Sequence, residues 1–207
     1  MQAVHHHVRQ RILKAPAGAV FVPMDFLDLA GRAAIDQALS RMVRAGALER
    51  LARGLYHVPR INAALGVAVP PDPDQIAQAI GRRTNSRVVA SEAVIANRAG
   101  LTTQVPAQPV YLTDGRSRTV AIGKRVFRFR HVSPKRLPQG DAAVAHAMQI
   151  VQYAIDHDVA DKVLTLLAEA LTRTQRSALL RQARYTDAKT AAIARQLVNA
   201  PKGPARG

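Results

Sequence analysis

The chain has 207 residues, 48% of them apolar, enough for a real core in one or two domains. Its 30 Lys and Arg against 14 Asp and Glu give a formal net charge of +16, which points to a polyanionic partner, nucleic acid before an anionic membrane surface. Cysteine is absent, excluding disulfide frameworks, thiolate zinc sites and thiol catalysis, and every apolar run is too short and too charged for a membrane span or secretory leader; a cytoplasmic protein is expected.

Val4, Val8 and Ile12 recur at helical spacing and predict a first helix over 3–15. Pro16 and Gly18 end it, and "VFV" reads as a very short strand. "PMDFLDLA" predicts a second helix with Pro23 in its first turn and Asp25 at its positive end. Gly31 separates it from a third, "GRAAIDQALSRMVRAG", and two strand-like runs around Arg53-Gly54 then predict a hairpin. Helix, short strand, two helices and a hairpin in about 60 residues predict a winged helix-turn-helix.

Residues 61–75, with Pro70, Pro71 and Pro73, read as a linker. A short helix follows in "DQIAQAIGRRTN", and a broken helical segment in "RVVASEAVIANRAGL". "PVYLTD", "RTVAIG" and "RVFRFRHVS" are strand candidates, with turns at Asp114-Gly115 and Gly123-Lys124. From Asp141 to Asn199 the pattern predicts three or four helices, and 201–207 a frayed, basic, disordered tail.

The third helix has two faces. Ile35, Leu39, Met42 and Val43 share the one that would face a core. The other carries Arg32, Asp36, Gln37, Ser40, Arg41 and Arg44. In a helix-turn-helix this later helix enters the major groove, where Arg reads guanine, Gln reads adenine, and Ser reaches bases or phosphate. Ala33 and Ala34 are small enough for close backbone approach, and the hairpin's Arg50 and Arg53 make a natural wing. A solvated, charged helix face is the plainer alternative.

From Phe21 to Arg60 the sequence "FVPMDFLDLAGRAAIDQALSRMVRAGALERLARGLYHVPR" closely resembles the N-terminal winged helix of AbiEi-family antitoxins of type IV toxin–antitoxin systems. The resemblance continues through "SEAVIANRAGLTTQVPAQPVYLTDGRSRTVAIGKRVFRFRHVSPKRL", about residues 1–140 in all, with only a generic helical end beyond. It implies a repressor that binds repeats in its own promoter as double-stranded DNA. It also implies a C-terminal region that counters a nucleotidyltransferase-like toxin without a stable complex. DNA contact is carried onto Arg32, Gln37, Ser40 and Arg41, and onto Arg53 of the wing. Gly31 departs from the family, where a hydroxyl residue often caps this helix; glycine still caps, but a hydroxyl–phosphate contact is lost.

Other constellations favour structure over chemistry. Three adjacent histidines, His5-His6-His7, point in three directions from a helix and cannot chelate as a set. Asp156-His157-Asp158 ends an apolar helical run without the Gly-Ser phosphate loop of a nucleotidyltransferase, so it reads as a helix end. Asp72-Pro73-Asp74 lies in the proline-rich stretch, and Ser91-Glu92 and Ser133 lack a recognisable nucleophile elbow. Tyr111, Phe127 and Phe129 interleave with Arg125, Arg128 and Arg130, as on an RNA-binding sheet, but period two favours aromatics inward and arginines outward. Val144, Met148, Val151, Ile155, Leu164, Leu167 and Leu171 read as core seams.

The expectation is therefore an α+β protein. It has a winged helix-turn-helix over 1–60, a linker over 61–75 and a C-terminal antitoxin-like α/β domain over 76–200 with a terminal helical segment. It is expected to bind DNA through Arg32, Ala33, Gln37, Ser40, Arg41, Arg44, Arg50 and Arg53, with no catalytic residue, cofactor or metal. A plain regulator without a toxin, or an RNA-binding protein using the basic strands, are the alternatives.

Overall fold

The computed structural model describes residues 2–103, 108–134, 137 and 140–201. The tail expected at 201–207 lies outside them from residue 202 onward. The fold is α+β, and the chain forms two compact units, one from residues 1–89 and 111–131, the other from 90–110 and 132–207.

The first unit opens with α1 (Gln2–Leu13), β1 (Val20–Phe21) and a short 3-10 turn (Pro23–Phe26). The sequence suggested a full second helix here. Instead the Asp25 carboxylate accepts from the backbone N–H of Val22, 2.9 Å away, closing a tight turn that stops after one revolution. Next come α2 (Arg32–Arg44) and the hairpin β2 (Glu49–Ala52) and β3 (Leu55–His57), which join β1 in a sheet of order β1-β3-β2. Gly54, in the two-residue turn, has φ +69°, a left-handed conformation that favours glycine.

One core cluster unites Val8 and Ile12 of α1, Phe26, Ile35, Leu39 and Met42 of α2, Leu48 and Tyr56. Arg11 locks α1 onto the 3-10 turn and the segment after it. Its two terminal nitrogens reach the Asp28 carboxylate at 2.7 and 2.6 Å, and its guanidinium lies 5.7 Å above the Phe26 ring.

Residues 61–75, read as a linker, carry most of a second hairpin, β4 (Arg60–Asn62) and β5 (Val67–Val69). The Asn62 side chain accepts from the N–H groups of Ala64 and Leu65, turning the chain locally. Ile61, Leu65 and Val67 stand exposed on it. Of the three prolines there, the last starts α3 (Pro73–Arg83): Pro73 occupies its first turn and Asp72 caps it by accepting from Asp74 N–H at 2.8 Å.

β6 (Val88–Ala90), β7 (Val110–Thr113), β8 (Arg118–Ile122) and β9 (Arg125–His131) form a sheet of order β6-β7-β9-β8. Tyr111, Phe127 and Phe129 are buried together while Arg128 and Arg130 are exposed, as period-two alternation predicts. The Tyr111 hydroxyl donates to the Asp74 carboxylate at 2.8 Å, tying the sheet to α3. Gly81 permits the tight turn back into the sheet, since a Cβ there would come within 2.7 Å of the Ser86 carbonyl oxygen and of Val88.

The second unit is helical: α4 (Glu92–Arg98), α5 (Ala142–His157), α6 (Ala160–Ala170), α7 (Arg173–Ala183) and α8 (Ala188–Asn199). Val144, Met148, Val151, Leu167 and Leu171 are buried as expected, with Ile155 and Leu164 half-buried. Asp158 takes the left-handed cap of α5, φ 55°, so the Asp156-His157-Asp158 triplet is a helix end. Arg176 is only 5% exposed, and its guanidinium donates to the carbonyls of Leu171 (3.2 Å), Leu197 (3.3 Å), Ala200 (2.7 Å) and Ala168. A cation thus closes the carbonyl-rich C-terminal ends of α6 and α8.

Candidate nucleic-acid interface

The buried face of α2 fixes which residues face out. Ile35, Ala38, Leu39 and Met42 are each at most 3% exposed, and Val43 packs partly buried beside them. Ala33, Gln37, Ser40 and Arg44, at i, i+4, i+7 and i+11, form the opposite ridge, and all four are exposed. Arg32 and Arg41 flank that ridge on its two sides. Gln37, Ser40, Arg41 and Arg44 make no side-chain hydrogen bond or ion pair among the described residues, so their donors are available.

Two residues are less simple. Arg32 donates to Asp36 at 2.9 Å, an exposed i, i+4 pair whose partners lie along the helix rather than away from it. Such a pair contributes about 0.3–0.5 kcal/mol and can open to a stronger anion. Arg41 lines a shallow groove with Val4, His5, Ala34, Gln37 and Ala38, between α1 and α2. Gly31 caps α2 with an extended backbone and no side-chain hydrogen bond, which leaves N–H groups of the first turn free of a side-chain acceptor.

Arg50 and Arg53 are exposed on the hairpin, Arg50 opposite Tyr56 on β2 and Arg53 in the turn. The Arg53 carbonyl accepts from Arg83 Nη1 of α3 at 3.0 Å. α3 also donates from Arg82 to the Val20 carbonyl at 2.8 Å and to Asp25. The sheet buries Tyr56 in the core cluster on one face and Val20, Leu55 and His57 on the other. α3 packs against β1 and the 3-10 turn. His57 is 2% exposed, neither ring nitrogen is hydrogen-bonded among the described residues, and Nδ1 lies 3.6 Å from Glu49.

The arginines of α3 and of β8 escaped sequence reasoning. "GRRTN" offered only a helix end, and nothing local shows that Arg83 meets residue 53 or that Arg118 lies beside Arg83.

A family of unknown function, DUF6088, matches residues 7–179. The chain belongs to this family. Its shared region runs from α1 into α7 and so contains α2, the hairpin, α3 and the sheet. None of the curated proteins matches the chain. No helix among the described residues is long and apolar enough to cross a membrane, and no group of three or more His, Asp or Glu side chains there could hold a metal ion.

Proposed function

We propose that the chain is a cytoplasmic DNA-binding transcriptional repressor whose N-terminal elements act as a winged helix-turn-helix. α2 is the recognition helix, the short 3-10 turn stands in the place of the preceding helix, and the β2–β3 hairpin is the wing. The observation that carries this reading is the outward ridge of α2. Ala33, Gln37, Ser40 and Arg44, with Arg41 beside them, offer small, amide, hydroxyl and guanidinium groups on a helix held stiffly by Ile35, Leu39 and Met42. That is the residue set that reads base edges and phosphates in a major groove. A net charge of +16 supplies the non-specific attraction such a protein needs.

On the AbiEi resemblance, the protein is further proposed to be the antitoxin of a type IV system. It would repress its own operon and counter a nucleotidyltransferase-like toxin without catalysis of its own and without a stable complex. Two experiments test this. Binding to the promoter region upstream of its own gene should exceed binding to scrambled duplex. Co-expression should rescue growth from a neighbouring nucleotidyltransferase-like gene product; promoter binding without rescue would leave a plain regulator. For the RNA-binding alternative, burial of Tyr111, Phe127 and Phe129 removes the aromatic platform on which bases would stack.

A further inference from the structure

Around the tip of the β2–β3 hairpin, three arginines from distant parts of the chain gather with no acid among the described residues to neutralise them. Arg53 lies in the turn, Arg83 ends α3, and Arg118 begins β8. The neighbouring carboxylates are already engaged: Asp25 pairs with Arg82 at 2.8 Å and Asp114 with Arg87 at 3.1 Å. Arg53, Arg83 and Arg118 have no ion pair among the described residues.

Their geometry leaves donors available. Arg83 uses Nη1 on the Arg53 carbonyl, which steadies the turn that carries the Arg53 side chain. Arg118 lies over the Phe129 ring, 5.1 Å from its centroid, and donates Nη2 to the Thr84 hydroxyl at 2.8 Å. Thr84 directly follows Arg83, so the Arg118 guanidinium is held beside the residue that carries the second one. Burial, and then the nearby Arg83 charge, pushes the Arg118 guanidinium below its ordinary pKa. Its Nε is buried and has no hydrogen-bond partner among the described residues. Like charges held together, one of them incompletely solvated, are costly in the free protein and are relieved by an anion.

We propose that Arg53, Arg83 and Arg118 form a binding site for the phosphate backbone of duplex DNA, extending the wing from the hairpin onto α3 and β8. The inference rests on the reading of α2 and the hairpin as a DNA interface. A pair of ordered guanidinium groups beside a wing suits successive phosphate oxygens, where contacts position the duplex without reading its sequence.

The test is the salt dependence of duplex binding by the full chain, measured by fluorescence anisotropy on the promoter region and on scrambled DNA. Arg83→Gln and Arg118→Gln should each flatten the log K against log[salt] slope by about 1, equally on both duplexes. Arg118→Lys should retain the slope, and Arg181→Gln, an exposed position on α7, should leave it unchanged. Arg83→Gln, away from the Phe129 stack, keeps the test valid if Arg118→Gln melts early. Wild-type slopes in both Gln variants, with promoter preference intact, would overturn the phosphate site alone. No duplex binding by the wild type would overturn the site together with the DNA-binding reading.

Discussion

Arg82 and Asp25, 57 positions apart in sequence, are held as an ion pair in which Nε lies 2.8 Å from Oδ1 and Nη2 3.2 Å from Oδ2. The same guanidinium donates to the Val20 carbonyl, so one side chain joins the end of α3 to β1 and to the 3-10 turn before α2. The proposed recognition elements are therefore built with α3, not apart from it. Arg82→Ala should lower the stability of the full chain by about 1 kcal/mol, the scale of a partly exposed pair. A fragment of residues 1–60 should lack a cooperative urea transition, because the face bearing Val20, Leu55 and His57 would be uncovered. A sharp transition in that fragment would show that α3 is not part of this core.

In the helical unit, Arg176 is the residue on which most backbone groups converge. Arg176→Met keeps much of its volume but leaves the carbonyls of Ala168, Leu171, Leu197 and Ala200 without their donor. The expected loss is about 3 kcal/mol by chemical denaturation. A variant as stable as the wild type would mean that water replaces the guanidinium at no cost.

Acid should act through carboxylates held below their ordinary range. The Arg11 guanidinium keeps Asp28 low, and the backbone N–H of Thr190 keeps Asp187, the cap of α8, low. Because these groups are depressed from 3.8 in the folded state, their stabilisation is complete above that value and is lost as pH falls through the folded values. Melting temperatures should show no loss from these groups between about pH 7 and 5 and a decline below about pH 4, shallower in Asp187→Asn. An equally steep decline in that variant would mean that Asp187 contributes nothing to the acid response.

The two faces of α2 and the alternation of β9 were legible because each depends only on local period: Leu39 and Phe127 are buried where repeats of 3.6 and 2 residues put them. Residues 61–75 misled because proline has two meanings. Pro70 and Pro71 break the chain, whereas Pro73, preceded by the Asp72 cap, starts a helix. The second helix shrank to one turn although Asp25 caps its start, and the Asp25 carbonyl accepts instead from Arg11 of α1, a partner 14 positions away that no local pattern names. Arg83 and Arg118 were illegible for a different reason. Their meaning lies in a meeting with Arg53 and Phe129 that no local pattern encodes.

Whether the outward ridge of α2 reads duplex DNA is tested most directly by comparing Gln37→Ala and Arg41→Ala with the wild type on two duplexes, the region upstream of its own gene and a scrambled version. Each variant should lose about 1–3 kcal/mol on the upstream duplex and far less on the scrambled one, with melting unchanged, because a lost base contact costs only where the base is right. Equal losses on both duplexes would reduce these residues to phosphate contacts, and unchanged binding on both would contradict base reading by α2 outright.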